Sequence, residues 1–241
     1  MKVSSEHYIF PPRAKSVIPP SEVGYLKDLG YMAQLKYNDT HILVKYNRNW
    51  RSEKRIEFWD RHGNRLRSYQ PGDELIEQLI EVGDKLGLSN EEWSLLDGGL
   101  LDSKHPSLRD TVVLWDMLVV NGDHLRGSTY NERYARLVAP FGDTIWYYTN
   151  PMKPDIHPPV DFGIKATDNI FMPKSYYDGW DQLFEIGKMV NAPFCQGDKI
   201  SLLIEGIVLK DGTGKLESGR KEQNNGDWMV RSRFATGRHL F

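Results

Sequence analysis

Short apolar runs separated by turn residues recur along the chain, and most of them have the length and composition of β-strands. Two such runs, residues 31–33 and 42–44, flank the turn Asn38-Asp39, which predicts a hairpin with Lys36 in its first arm. The same criteria predict further strands at 55–59, 65–67, 93–101, 111–120, 144–149, 169–172, 202–210 and 228–234.

Helical periodicity is clearest where Leu75, Leu79, Val82 and Leu86 recur every three or four residues before Gly87, a suitable helix stop. The chain shows no repeat and no clear linker. The mixture of segments predicts an α+β fold with substantial antiparallel sheet. Further helices are predicted at 21–29, 131–138 and 176–190, whereas the proline-containing segments 1–20 and 151–162 are expected to be irregular.

The composition excludes several classes of protein. Cys195 is the only cysteine among the 241 residues, which excludes an internal disulfide framework and a multi-cysteine zinc site. No apolar run approaches the roughly 20 residues of a membrane span, and the N-terminus lacks the apolar region of a signal peptide. We therefore expect a cytoplasmic protein that has no membrane partner.

The charge distribution leaves nucleic-acid binding open. A net charge of −2 argues against binding through bulk positive charge, but residues 45–67 and 210–238 are locally basic and contain Trp59 and Trp228. Cations interleaved with aromatic rings suit phosphate contacts mixed with base stacking, although such a stretch can also be a solvated face. The nucleic-acid contacts expected from the first stretch are Arg48, Arg51, Lys54 and Arg65.

Several polar segments follow one another in a specific order. They are Lys36-Tyr37-Asn38-Asp39, Arg61-His62-Gly63, Leu96-Asp97-Gly98-Gly99-Leu100, an aromatic-Asp segment at 114–137, Glu205-Gly206-Ile207-Val208-Leu209-Lys210, the loop 215–220, and Arg231-Ser232-Arg233. Together they resemble the covalent nucleotidyltransferases, which include ATP-dependent DNA ligases, RNA ligases and mRNA capping enzymes. The resemblance implies one DNA ligase-type nucleotidyltransferase (adenylation) domain over 1–241, with twisted antiparallel sheets flanked by helices and no C-terminal oligonucleotide-binding barrel.

The resemblance also implies roles for individual residues. Lys36 is the expected nucleophile, which attacks the α-phosphate of ATP and retains AMP. Glu205 and Asp97 are expected to hold Mg²⁺, a hard cation that prefers oxygen ligands. The other expected ATP contacts are Gln34, Leu35, His41, Arg61, Trp115 (stacked on the base), Lys210, Arg220, Arg231 and Arg233.

Taken singly, the same residues have plainer interpretations. Lys36 could be a surface lysine, Trp115 a core residue, and Glu205 a strand-end carboxylate paired with a lysine. Arg231 and Arg233 could alternate outward on an edge strand. Strand alternation also puts Lys210 on the face opposite Glu205 unless the strand twists or bulges. The order of the segments, rather than any one residue, supports the functional interpretation.

Three positions depart from the family pattern. Asp39 replaces a glycine, Gly99 replaces a ribose-binding glutamate, and His41 stands where many DNA ligases have arginine. Asp97 lies two residues before Gly99, on the same strand face, and could supply a shorter substitute carboxylate. None of these changes removes the nucleophile.

The implied function is that of an ATP-dependent polynucleotide ligase acting on nicked duplex DNA. The enzyme would pass AMP to a 5′-phosphate, and a 3′-hydroxyl would then displace the AMP. Two alternatives are an RNA ligase acting on an RNA-containing duplex and a non-catalytic nucleotide- or nucleic-acid-binding relative. Because the chain ends eight residues after Arg233 (241 − 233), it could be a minimal ligase, a shortened chain, or a protein that relies on a separate nucleic-acid-gripping domain or partner.

Overall fold

The structure is a computed structural model that describes residues 2–5, 7–52, 55–101, 108–142, 144–148, 160–191, 195–196, 199–200, 202–222 and 225–234. Its strands are β1 (Arg13–Val17), β2 (Tyr31–Tyr37), β3 (Thr40–Tyr46), β4 (Ile56–Asp60), β5 (Ser94–Leu100), β6 (Val112–Val120), β7 (Asp123–His124), β8 (Ile145–Tyr148), β9 (Val160–Lys165), β10 (Ile170–Met172), β11 (Cys195–Gln196), β12 (Lys199–Ile200), β13 (Ile204–Asp211) and β14 (Asn225–Arg233). The helices are α1 (Gly24–Lys27), α2 (Asp73–Lys85), α3 (Tyr130–Val138) and α4 (Trp180–Asn191). Among these described helices, none combines the length and the apolar character needed to cross a membrane.

The strands form two main sheets. The smaller sheet has the order β1-β14-β13-β2, and the larger has the order β4-β3-β5-β6-β10-β9-β8, with β7 paired to β6. Pairing in the described sheets is antiparallel except between β1 and β14 and between β6 and β10. The predicted α+β fold with largely antiparallel sheet is therefore confirmed.

The predicted hairpin around Lys36 is wrong. β2 pairs with β13 in the smaller sheet, whereas β3 pairs with β4 and β5 in the larger one. Asn38 and Asp39 therefore form a connector from one sheet to the other. Asn38 anchors this connector through two hydrogen bonds. Its backbone N–H donates to the carbonyl oxygen of Leu203 at 2.9 Å, and its side-chain amide donates to the carbonyl oxygen of Leu202 at 2.7 Å. A turn signal indicates that the chain changes direction, but it does not specify which strands pair.

Alternation along the strands divides the apolar side chains among three cores. Ile42 and Val44 of β3 pack under α2 and α3, together with the periodic leucines of α2. Leu35 of β2 enters a second core between the smaller sheet and α4. Leu43 faces the opposite way from Ile42 and packs with Leu95 and the N-terminal segment. The polar side chains of β2 and β3 that avoid these cores border the candidate site.

Several predicted boundaries need correction. The predicted strand 65–67 is reduced to one isolated bridge between Trp59 and Arg65. The segment expected to be irregular before residue 163 contains the start of β9, and the N-terminal segment contains β1, an edge strand whose mostly exposed residues give no apolar signal. The helix predicted at 176–190 begins only at Trp180, after Gly179 with φ +64°. The helix predicted at 21–29 is a 3-10 turn followed by α1.

Candidate active site

Lys36 lies in a row of residues that crosses the smaller sheet. On β13, Gly206 pairs with Lys36 of β2 on one side and with Arg233 of β14 on the other. Gly206 has φ +145°, and a Cβ atom at this position would lie 2.1 Å from the carbonyl oxygen of Ser232. Only glycine fits such a place. The missing side chain lets the backbones of β13 and β14 approach closely, and Lys36 and Arg233 on either side reach one acceptor.

Glu205 is this acceptor. The pairing of β13 with β2 is irregular between Ile204 and Gly206, which is where a β-bulge reorients a side chain. As a result, Ile204 remains in the core while Glu205 turns toward Lys36. Lys36 Nζ donates to Glu205 Oε2, and Arg233 Nη2 lies 3.4 Å from the same oxygen. One carboxylate oxygen therefore serves two cations.

Three arginines of the smaller sheet have unsatisfied donors. The Nε atoms of Arg13, Arg231 and Arg233 are buried and have no hydrogen-bond partner among the described residues. Burial lowers the pKa of the Arg231 guanidinium, and the charge of Arg233 lowers it further. A buried donor without an acceptor is costly, and a guanidinium matches the geometry of phosphate oxygens. This arrangement favours an anionic ligand.

Two residues of the site, Arg13 and Asp39, were not predicted as site residues. Arg13 lies on β1, which is parallel to β14 and pairs with it near Arg231. No motif contains Arg13, so only the pairing of these strands could identify it. Asp39 was noted only as a departure from a family glycine. It does not have a positive φ, so the connector does not require glycine there.

The larger sheet contributes a histidine–carboxylate pair. His41 Nε2 on β3 and Asp97 Oδ1 on β5 are 2.6 Å apart. Burial alone would lower the pKa of His41, but the Asp97 carboxylate outweighs this effect and the pKa is raised. The His41 ring also packs edge-on against Trp115, with ring centroids 5.4 Å apart. This pair fixes the imidazole next to the aromatic ring that was predicted to stack on a base.

Asp39 lies between the charged groups of the two sheets. Burial raises the pKa of its carboxyl group to about 6, against the opposing effects of the Lys36 and His41 charges, while Glu205 and Asp97 raise it further. The carboxyl group is therefore close enough to all four to interact with them. We call the following six residues the cleft cluster: Lys36, Asp39, His41, Asp97, Glu205 and Arg233.

A second polar group extends from the same strands. Arg133 of α3 makes two hydrogen bonds to Asp116 of β6, Nε to Oδ1 at 2.8 Å and Nη2 to Oδ2 at 2.9 Å. The hydroxyl group of Tyr130 lies 3.1 Å from Gln34 Oε1 and accepts a hydrogen bond from Lys210 Nζ at 2.8 Å. We call the following five residues the wall network: Gln34, Asp116, Tyr130, Arg133 and Lys210.

No protein-family model and no curated protein sequence matches the chain. Solved structures do match. A mycobacterial DNA ligase D complexed with ATP and MES is 14% identical, with a TM-score of 0.53 over 93% of this chain and 60% of that one. The ligase domain of M. tuberculosis LigD is 16% identical, with a TM-score of 0.56 over 93% of this chain and 59% of that one.

The chain has the DNA ligase nucleotidyltransferase fold. It spans about three fifths of the length of these two ligase structures. At this level of identity the likeness establishes the fold alone. The chemistry must therefore be argued from the side chains of this chain.

Within this ligase fold, three predicted ATP contacts are buried. Gln34 is 2% exposed, and its Nε2 donates to Ser175 Oγ at 2.9 Å, so a contact with the base would require an exchange of partners. The side chain of Leu35 belongs to the core, which leaves only its backbone for a ligand. Lys210 shares the face of Glu205 because of the bulge, and burial lowers its pKa to about 8.

Two predicted contacts lie at the rim of the ligase-type site. Arg61 is exposed, and its carbonyl oxygen accepts a hydrogen bond from Arg13 Nη2 at 2.9 Å. Its charge also contributes to the lowered pKa of Arg231, after burial and Arg233. Arg220 is exposed as well.

The residues predicted to bind nucleic acid do not form one surface on the ligase fold. Arg48 and Arg65 lie near acidic partners, 4.0 Å from Glu92 and 3.3 Å from Glu57. Arg51 instead binds Asp84 of α2 and lies over the ring of Trp50, 4.4 Å from its centroid, on the side of the α2 core. Arg51 thus lies against α2, whereas Arg65 lies against β4. Closeness in sequence therefore does not give these arginines a common face. Lys54 lies outside the described residues.

Proposed function

We propose that this protein is an ATP-dependent polynucleotide ligase that seals nicks in duplex DNA. The observation that carries the proposal is the shared Glu205 oxygen: Lys36 and Arg233 compete for it, while the buried Nε atoms of Arg231 and Arg233, and of Arg13 in the same sheet, lack partners. A triphosphate would supply the missing acceptors. Of the two structures described above, one is named as a DNA ligase and the other as a ligase domain, and this supports the substrate.

The first step is attack by Lys36 Nζ on the α-phosphorus of ATP. An N–P bond forms, the bond from phosphorus to the bridging oxygen breaks, and pyrophosphate leaves while the amine loses its proton. Because an ammonium group has no lone pair, Lys36 must first give up a proton, and Glu205, which accepts its hydrogen bond, is the nearest acceptor for it. Arg231 and Arg233, together with Arg13 of the same sheet, would stabilise the negative charge that moves onto the departing phosphates.

The remaining steps transfer and then release AMP. A 5′-phosphate oxygen attacks the phosphorus of the Lys36 adduct, which forms a phosphate–phosphate bond and returns the amine. A 3′-hydroxyl then attacks the 5′-phosphorus, and AMP leaves as the strand is joined. Trp115, held edge-on by His41, is the surface on which the adenine would stack.

Magnesium would be held by Glu205, together with phosphate oxygens and water. A single carboxylate suits this cation, which is usually bound by one or two carboxylates plus substrate phosphates. Among the described residues no three His, Cys, Asp or Glu side chains converge on one point, which agrees with such a sparse site. Asp97, the other predicted ligand, is 2% exposed and paired with His41. The cation would neutralise charge on the triphosphate.

The test is covalent labelling. The protein is mixed with Mg²⁺ and ATP carrying the label at the α-phosphate, and in parallel with GTP labelled in the same way. We expect a protein–AMP adduct from ATP only, its loss in Lys36→Ala, and its retention in Lys188→Ala, an exposed lysine on α4 paired with Glu185. An adduct on Lys36→Ala would contradict the assignment of the nucleophile, and the absence of an adduct on the wild type would favour a non-catalytic nucleotide-binding role.

The choice between DNA and RNA needs a second measurement. Sealing is compared on nicked duplexes that differ only in whether the strand with the 3′-hydroxyl is DNA or RNA, because the 2′-hydroxyl is the feature that distinguishes them. We expect faster sealing of the DNA strand. Preference for the RNA strand would identify an RNA ligase while leaving the adenylation step intact.

A further inference from the structure

Gly99 and Asp39 compete for one space. Gly99 lies on β5 opposite His41 of β3, next to the connector between the two sheets. A Cβ atom built on Gly99 would lie 2.6 Å from Cγ of Asp39, 2.7 Å from its Cβ and 2.8 Å from its Oδ1. Non-bonded carbon atoms pack at about 3.5–4.0 Å. The Asp39 carboxyl group thus occupies the place that any side chain at position 99 would need.

The position of this carboxyl group relative to the other site residues indicates its ligand. Asp39 interacts electrostatically with Lys36 on one side and with His41 on the other, and His41 contacts Trp115. If Lys36 attacks the α-phosphate and Trp115 stacks on the base, the sugar that joins them lies between the two. A carboxylate only accepts hydrogen bonds when it is ionised, and sugar hydroxyl groups are donors.

We propose that Asp39 is the sugar-binding, specificity-determining carboxylate of this site, and that Gly99 is glycine because Asp39 fills its space. The carboxylate accepts hydrogen bonds from the 2′- or 3′-hydroxyl of a ribonucleoside triphosphate. Asp97 is less suited to this role, since it is 2% exposed and its Oδ1 is bound to His41. This inference rests on the proposed function, because it requires a nucleotide between Lys36 and Trp115.

The competition between Asp39 and a side chain at position 99 can be tested with four proteins: the wild type, Asp39→Gly, Gly99→Glu and the double variant. Adduct formation is measured with ATP, 2′-deoxy-ATP and 3′-deoxy-ATP at varied nucleotide and Mg²⁺ concentrations, and thermal unfolding is followed for each protein. Asp39→Asn tests the charge at constant shape. Asp168→Gly, which removes an exposed carboxylate paired with Lys165, is the matched control.

We expect Asp39→Gly to lose about tenfold to a hundredfold in kcat/KM for ATP, the range of a hydrogen bond to a charged group. It should no longer distinguish ATP from the deoxynucleotide that the wild type uses poorly. Gly99→Glu should lower both activity and Tm, because two carboxyl groups then need one space. The double variant should recover the Tm, the ATP rate to within about threefold of the wild type and the discrimination against the same deoxynucleotide.

Three results would overturn the assignment. The first is a ratio of kcat/KM for ATP to kcat/KM for deoxy-ATP that is the same in Asp39→Gly as in the wild type. The second is a double variant whose activity is no higher than the product of the relative activities of the two single variants. The third is a loss in Asp39→Gly that excess Mg²⁺ repairs, which would make Asp39 a cation ligand. Absence of any adduct in the wild type would instead refute the proposed function, so the two failures are distinguishable.

Discussion

The cleft cluster and the wall network are two groups of charged and polar residues that share strands β2 and β13, but they satisfy their charges differently. In the wall network, Arg133 and Asp116 have side-chain exposures of 0% and 3% and form a two-point pair. Arg133 also donates to the carbonyl oxygen of Ser128 at 2.6 Å. In the cleft cluster, Lys36 and Arg233 share one oxygen of Glu205 and are 19% and 35% exposed.

This difference separates a structural role from a binding role. A buried charge with a complete set of partners stabilises one arrangement, and removing one partner leaves the other charge buried and unpaired. A partly exposed group of cations with too few acceptors is stabilised most when an anion binds to it. We therefore expect changes in the wall network to affect stability and changes in the cleft cluster to affect chemistry.

The largest effect is expected from Arg133→Met, which leaves the Asp116 carboxylate buried without its partner. The free energy of unfolding should fall by about 3–5 kcal/mol. For a chain of this size that corresponds to a decrease in Tm of roughly 6–20 °C, measured by thermal unfolding. Arg136→Met, at an exposed position one turn later on α3, is the control and should change little. A loss below about 1 kcal/mol would remove the distinction between the two groups.

Arg233→Met should show the reverse behaviour. Adduct formation should slow by about a hundredfold, because a charged donor to the phosphates is lost. The free energy of unfolding should change by less than about 1 kcal/mol, since the arginine is partly exposed and shares its acceptor with Lys36. Single-turnover labelling and unfolding are measured on the same samples, with Lys221→Met, an exposed position, as the control. A large loss of stability with normal labelling would contradict the comparison.

Lys210→Met should stabilise the protein at pH 7, although Lys210 belongs to the wall network. Its pKa is about 8 in the folded protein, against 10.5 for an unperturbed lysine such as that of the unfolded chain. The unfolded chain therefore binds more protons between these values, so wild-type stability rises from pH 8 to 10.5. We expect the variant to be more stable by about 1–3 kcal/mol at pH 7 and equal near pH 10.5. Denaturant titrations at pH 7, 9 and 10.5 give this profile. A difference in the free energy of unfolding that is the same at all three pH values would exclude the lysine charge as its cause.

The smallest effect is expected from Asp39→Asn. The pKa of this carboxyl group rises from 3.8 to about 6 on folding, so the folded state binds more protons between these values. Wild-type stability therefore decreases from pH 4 to pH 6 and stays at the lower level above it. Asparagine cannot ionise, so the variant should be more stable at pH 7 and equal below pH 4; the full pKa change corresponds to about 3 kcal/mol, and we expect about 1 kcal/mol because the side chain is partly exposed to solvent. Denaturant titrations at pH 3.5 and 7 check this sign.

Strand and helix positions follow closely from the sequence where burial is one-sided. The period of Leu75, Leu79 and Val82 predicts α2, because a helix with one apolar stripe must bury that stripe. Thr129 and Glu132 form a capping box that starts α3, within one residue of the predicted boundary. β1 was not predicted because an exposed edge strand is held by backbone pairing with β14, which leaves no apolar pattern.

The site was only partly predictable for a related reason. Motif order identifies Lys36, Glu205 and Arg233, and the structure brings these three together. Motif order also suggested Gln34 and Lys210 as ligand contacts, but in the structure their partners are Ser175 and Tyr130. Which polar groups are already satisfied depends on residues far away in the chain, and local sequence does not contain that information.

The sequence by itself determined the fold class, the nucleophile candidate and the types of residue around it, because the first depends on local periodicity and the others on the order of the motifs along the chain. Only the tertiary structure decided that Asn38 and Asp39 cross between two sheets, that a bulge turns Glu205 toward Lys36, and that Asp39 fills the space beside Gly99. Those features arise when separate strands pack against each other, and two atoms cannot share one volume.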